Sequence, residues 1–74
     1  MNVTVYTTTT CPYCDMVKSF LSQNNIPYKE VNVEDMEKMQ QLVQKTGQMG
    51  VPQTNVNGTW ILGFDPNGIM AALK

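Results

Sequence analysis

Histidine and arginine are both missing from the sequence, and its five lysines stand against six acids for a net charge of −1. Without an imidazole there is no Ser–His or Cys–His catalysis and no histidine metal ligand. Without arginine or surplus positive charge, guanidinium recognition of phosphates is excluded, and nucleic acid is not an expected partner. Apolar runs are short. None approaches the roughly 20 residues of a membrane-spanning helix, and the opening Met1-Asn2-Val3-Thr4-Val5 has neither the basic region nor the long apolar stretch of a signal peptide. A soluble, cytoplasmic protein without membrane association is expected. Cysteine is scarce too, and two cysteines cannot staple a loop-rich scaffold. The 74 residues are about half of the ~150 usual for a domain, so one domain over residues 1–74 is expected. A core of that size seldom supplies more than ~3–5 kcal/mol and depends on regular, well-packed elements. The chemistry left to such a chain must come from Cys, Asp, Glu, Lys or Tyr.

Residues 2–6, Asn-Val-Thr-Val-Tyr, are mostly β-branched or aromatic and run into a threonine tetrad, which predicts a strand feeding a loop. From Pro12, apolar residues at Tyr13, Met16, Val17, Phe20 and Leu21 recur every three or four positions up to Asn24-Asn25, the period of an amphipathic helix. Residues 28–33 read as a second strand, and Lys29 and Glu30 within it place it at a sheet edge, where charge discourages further pairing. Asp35 suits the N-cap of a second helix running to Thr46, with Met36, Met39, Leu42 and Val43 on one face and Gly47 as C-cap. Met36 and Met39 are expected in the core. Asn57-Gly58, between Thr54-Asn55-Val56 and Thr59-Trp60-Ile61-Leu62, is the strongest short signal for a two-residue hairpin turn. Asp65 and Pro66 then fit the cap and first position of a terminal helix carrying Ile69, Met70 and Leu73, although Gly68 speaks against a helix interior. The order βαβαββα combines a right-handed crossover with a hairpin in one four-stranded mixed sheet flanked by three helices.

Cys11-Pro12-Tyr13-Cys14 falls where the first strand hands over to the first helix. Pro12 suits the first helical position and pushes Cys11 toward the extended conformation of an N-cap. The cap sulfur then faces the amides of Tyr13 and Cys14, and the positive end of the helix dipole favours a thiolate there. Some 1–2 kcal/mol of such stabilisation lowers a thiol from ~8.5 toward ~7.5, near the optimum for exchange. Asp15, beside Cys14, opposes part of this. Side chains three apart on a helix are close enough for a disulfide after slight adjustment. As a structural bridge it closes so short a loop that it contributes only about 2 kcal/mol. As a metal site it supplies two of four ligands and lacks a second pair. Reversible redox exchange is therefore the favoured reading of the pair, with an iron–sulfur or other metal carrier as the alternative from another class.

With Tyr6-Thr7, Gly47, Val51-Pro52-Gln53 and Gly63-Phe64-Asp65 added to Cys11-Pro12-Tyr13-Cys14, nearly the whole chain resembles a small dithiol glutaredoxin of the thioredoxin-fold superfamily. The resemblance implies a monomeric thiol–disulfide oxidoreductase with no tightly bound cofactor and no metal. Cys11 is implied as the nucleophile and Cys14 as the resolving thiol. Substrate contacts are implied at Pro12, Tyr13, Val51, Pro52, Gly63, Phe64 and Asp65, with Val51 offering its backbone to the substrate ahead of a cis Pro52. Only about 5–6% of X-Pro bonds are cis, so that geometry comes from the resemblance alone. Glutathione is implied as co-substrate, held at its γ-glutamyl end by the amides of Phe64 and Asp65, and disulfide-containing proteins as the other partners. Three positions depart from the pattern. Thr8 stands where many relatives carry a carboxylate-binding lysine, Gly50 where they carry threonine, and Pro66 removes an N–H donor. Gly63-Phe64 followed by Pro66 also resembles the redoxins that are reduced by thioredoxin reductase and serve ribonucleotide reductase, the runner-up reading.

Three further side chains have modest readings. Tyr13 either stacks on a substrate or packs half-buried against the Pro52 loop. Lys18 is expected on the solvated helix face, paired with Asp15. Trp60 is expected to pack within the hairpin, since no basic groove accompanies it.

Overall fold

Strand β1 (Val3–Thr7) buries Val3, Val5 and Thr7 and leaves the residues between them half-covered, as a strand alternating between two faces must. A computed structural model describes residues 2–74, so Met1 of the expected 1–74 domain lies outside the described residues. β1 ends one residue later than the pattern of residues 2–6 predicts, because the Thr7 carbonyl accepts the Val33 N–H at 2.8 Å. Helix α1 (Pro12–Gln23) buries Cys14, Val17 and Leu21. Its apolar stripe is thus narrower than predicted. Tyr13 and Met16 face outward at 62% and 44% exposure, and Phe20 packs against the core from its rim. The pattern had counted Cys14 as chemistry, whereas it is the first residue of the buried row.

Strand β2 (Lys29–Asn32) runs parallel to β1 and forms one edge of the sheet. Helix α2 (Met36–Thr46) begins at Asp35, whose carboxylate accepts the Glu37 N–H at 2.9 Å, and ends at Gly47 in the left-handed conformation. Both caps are as predicted, but the core assignment of the methionines is corrected. Leu42 is the buried residue of α2, while Met36 is 76% exposed and Met39 half-buried. Met36, Met39 and Val43 instead line an open groove of about 480 Å³ with Val33 and Met49.

Strands β3 (Gln53–Val56) and β4 (Thr59–Leu62) form the hairpin, with Val56 opposite Thr59. Asn57 and Gly58 both have positive φ (51° and 96°), the conformation of a two-residue primed turn. Tyr6 on β1 and Trp60 on β4 approach with ring centroids 5.4 Å apart, so Trp60 packs across the hairpin onto β1 rather than only within the hairpin as expected. Helix α3 (Pro66–Leu73) buries Ile69, while Met70 is 40% exposed. Gly68, which spoke against the helix, serves its start: its N–H donates to the Asp65 carboxylate at 3.1 Å, and a Cβ there would stand 2.5 Å from Asp65 Oδ2.

The sheet order is β2-β1-β3-β4, with β3 antiparallel to both its neighbours. This is the four-stranded mixed sheet and βαβαββα order expected. Tyr6 lies opposite Gln53, and Gln53 opposite Leu62. The loop after β1, the turn before β3 and the exit from β4 therefore meet at one end of the sheet.

Candidate active site

At that end the chain leaves β1 and places Cys11 as the N-cap of α1, extended at φ −145° and ψ 98°. Its Sγ accepts the Cys14 N–H at 3.1 Å. Of the two amides predicted to face the sulfur, the one at the third helical residue makes the bond, as side-chain oxygens do in ordinary caps. Pro12 occupies the first helical position as expected. Cys11 and Cys14 form a disulfide across Cα atoms 5.2 Å apart, within the range such a bridge tolerates. The two sulfurs sit in unlike surroundings, since Cys11 is half-exposed and Cys14 has no exposed surface.

Across the same end, the Val51–Pro52 peptide is cis, the geometry implied by the resemblance. Pro52 is buried and Val51 half-buried. The Pro52 carbonyl accepts the Gly63 N–H at 2.9 Å, which joins the turn before β3 to the exit from β4. Gly63 adopts a φ of 73°, where a side chain would be strained. Phe64 packs against the core, and the Asp65 carboxylate caps α3. A cavity of about 150 Å³ lies beneath the turn, lined by Gln48, Gly50, Val51, Pro52, Gln53, Leu62 and Gly63.

Two charged clusters brace this end. Lys18, one turn after Cys14, reaches Glu30 Oε2 at 3.0 Å and Asp15 Oδ1 at 3.5 Å. The same Glu30 oxygen accepts the Thr7 hydroxyl at 2.8 Å. The Lys18 hydrogen bond, with that of Thr7 second, holds the Glu30 carboxyl below its ordinary value, and Glu30 in turn raises Lys18. In the second cluster, Glu34 Oε1 accepts both the hydroxyl and the backbone N–H of Thr9, the latter at 3.1 Å. Asn32 donates to the Thr9 hydroxyl at 3.2 Å. The Thr9 hydroxyl is the main cause that lowers the Glu34 carboxyl. The loop delivering Cys11 is thus tied to the β2–α2 connection.

The sheet register brings Cys11, Pro12, Tyr13 and Cys14 to the same end as Val51, Pro52, Gly63, Phe64 and Asp65. One reading is corrected: Tyr13 does not pack half-buried against the Pro52 loop but stands 62% exposed. The predicted Asp15–Lys18 pair is present, whereas Glu30 had been read only as an edge charge. Glu34 was missed as well, and Gln53 entered only through the Val51-Pro52-Gln53 match, without a role. Their partners lie in other elements or in an irregular loop, and the one available signal was that polar residues flank the strand ends. Among the described residues, no group of three or more His, Cys, Asp or Glu side chains is arranged to hold a metal ion, and no helix is long and apolar enough to cross a membrane.

Comparison with known proteins agrees with this geometry. The glutaredoxin family model matches residues 3–61. A glutaredoxin-like 8.6 kDa protein from the rubredoxin operon of Clostridium pasteurianum is 38% identical over 64 residues, 85% of each chain. Glutaredoxin 3 of Escherichia coli K12 is 32% identical over 65 residues, 86% of this chain and 78% of its own. Among solved structures, the glutaredoxin-like NrdH-redoxin of Escherichia coli superposes with a TM-score of 0.84, covering 96% of this chain and 93% of the other at 21% identity. That last likeness concerns the fold, which is the thioredoxin-like one.

Proposed function

Because the chain belongs to the glutaredoxin family, we propose that it reduces disulfides through its own dithiol, with Cys11 as nucleophile and Cys14 as resolving thiol. The observation that carries the assignment is the asymmetry of the pair: Cys11 is half-exposed at a helix N-cap, and Cys14 is fully buried. A half-exposed sulfur that accepts an amide at the positive end of a helix is both reachable and favoured as thiolate. In the forward step the Cys11 thiolate attacks one sulfur of a substrate disulfide. A Cys11–substrate bond forms, the substrate S–S bond breaks, and the departing thiolate takes up a proton. Cys14, on losing its proton, attacks Cys11 Sγ. The Cys11–Cys14 bond forms, the second substrate thiol leaves, and two electrons have passed from the dithiol to the substrate.

A donor must then reduce the bridge. Glutathione is the reading favoured by Cys-Pro-Tyr-Cys, Val51-Pro52, Gly63 and Asp65, working in a cytoplasmic monomer on disulfide-containing proteins. Thr8, Gly50 and Pro66 favour the second reading, reduction by a thioredoxin-reductase-type flavoprotein with ribonucleotide reductase as acceptor. The likeness to NrdH-redoxin is consistent with both, since it extends to the fold.

The test is trapping. A Cys14→Ser variant, reduced and mixed with a disulfide-containing protein, is expected to accumulate a mixed disulfide at Cys11 that mass spectrometry locates. A Cys11→Ser variant that captures substrate on Cys14 at the wild-type rate would reverse the roles. No adduct on either cysteine would overturn the oxidoreductase reading.

A further inference from the structure

Gln53, directly after the cis proline, is 1% exposed. Its Nε2 donates to two carbonyls of the preceding loop, Gln48 at 3.0 Å and Gly50 at 2.8 Å. The reverse orientation of the amide would set Oε1 against two carbonyl oxygens, so the hydrogen bonds themselves fix which end faces the loop. In this orientation Oε1 is buried with no partner among the described residues. A buried oxygen in that state is unfavourable, and packing alone would favour an apolar side chain of the same size. The feature that sets glutamine apart here is the pair of donors.

Capture of the Gly50 carbonyl has a directional result. Gly50–Val51 is not among the cis peptides of the described residues, and in a planar trans peptide the C=O and the following N–H point in opposite directions. Drawing the Gly50 carbonyl inward onto Gln53 therefore turns the Val51 N–H outward. The rest of the loop is held at both ends. Gln48 N–H donates to Thr46 Oγ1 at 3.1 Å, and the Pro52 carbonyl is occupied by Gly63. We infer that Gln53 is a positioning residue that aims the Val51 amide at the backbone of a peptide substrate and so favours polypeptide disulfides over small ones. This rests on the disulfide-exchange reading above.

The test compares pre-reduced wild-type protein with Gln53→Met, which keeps the size and loses the donors. Each is oxidised in single turnovers by a peptide disulfide and by hydroxyethyl disulfide, which has no backbone amide. The ratio of the two second-order rate constants, peptide over small, is expected to fall about three- to tenfold in the variant, the scale of one hydrogen bond. A change in general stability would move both rates together. An unchanged ratio in a folded Gln53→Met overturns the inference. A second measurement needs no change at Gln53. In Cys14→Ser carrying a peptide on Cys11, the Val51 amide is expected to exchange with solvent more slowly than in the free protein, and equal exchange overturns the inference. Wild-type protein oxidised by neither disulfide would instead bring down the exchange reading, an outcome distinct from an unchanged ratio.

Discussion

Lys18 of α1 and Glu30 of β2 meet at 3.0 Å, and Thr7 of β1 donates its hydroxyl to the same Glu30 oxygen at 2.8 Å. One carboxylate thereby connects the helix that Cys11 caps and Cys14 belongs to with strands β1 and β2.

The pH dependence of stability follows from this pair. Glu30 titrates below its ordinary value in the folded protein, first because of Lys18 and then Thr7. Its contribution is therefore present above the unfolded value of about 4.3 and is lost as pH falls through the lower folded value. Since the pair is partly solvated, with side-chain exposures of 27% and 42%, the effect belongs at the surface scale of about 0.2–1 kcal/mol. Glu30→Gln is expected to lower the urea midpoint at pH 7 and to show a smaller further loss at pH 3 than wild type. Equal acid losses in both proteins would contradict the role given to Glu30.

The α3 cap yields a sign reversal. Alanine is a better helix former than glycine by about 1 kcal/mol, yet at position 68 a Cβ would sit 2.5 Å from Asp65 Oδ2 and displace a cap worth about 1 kcal/mol. Gly68→Ala alone is expected to give no net gain in stability. In an Asp65→Ala background, where there is no carboxylate to displace, the same substitution is expected to stabilise by about 1 kcal/mol. Thermal unfolding of the four proteins closes the cycle, and additive effects would rule out the coupling.

Thiol reactivity offers a third check. In the reduced protein, iodoacetamide is expected to label Cys11 well before Cys14, with a pH midpoint below the ~8.5 of a free cysteine. Cys11→Ser is expected to abolish exchange while preserving the fold, because a hydroxyl still caps α1. Peptide mapping of the first label and thermal unfolding of the variant test the two statements separately.

Donor choice is open to a gain of function. Thr8→Lys adds a charge-assisted contact to a glutathione carboxylate, worth about 1.5–3 kcal/mol, and is expected to raise glutathione-supported turnover about tenfold or more. The comparison is steady-state reduction of a mixed disulfide with glutathione and with thioredoxin reductase. Turnover with the flavoprotein alone, before and after the substitution, would replace the glutathione reading by its runner-up.

What the sequence made legible was local. Asn57-Gly58, Asp35 with Gly47, and Asp65-Pro66 each carry a backbone requirement within a few positions, and each turn or cap appears where predicted. Cys11-Pro12 belongs to the same class. The misread features depend on what other elements supply. Whether Met36 is covered depends on a layer beyond α2, and the meaning of Glu30 depends on Lys18 and Thr7 arriving from elsewhere. Gln53 reaches back into an irregular loop whose path follows no periodic pattern. Gly68 was misjudged because helix propensity averages over contexts, and here the neighbour is a capping carboxylate.

The exposure of α2 bears on cooperativity. The other two helices contribute Val17, Leu21 and Ile69 to the central cluster, whereas α2 is fastened chiefly by Leu42. A segment held by so little buried surface opens at lower free energy than the strands it leans on. Amide exchange in the middle of α2 is accordingly expected to proceed through local opening, while Val5 and Thr54 exchange only when the sheet separates. Two steps of opening are therefore expected on the exchange timescale, with the sheet end that leads into the cysteines in the later one.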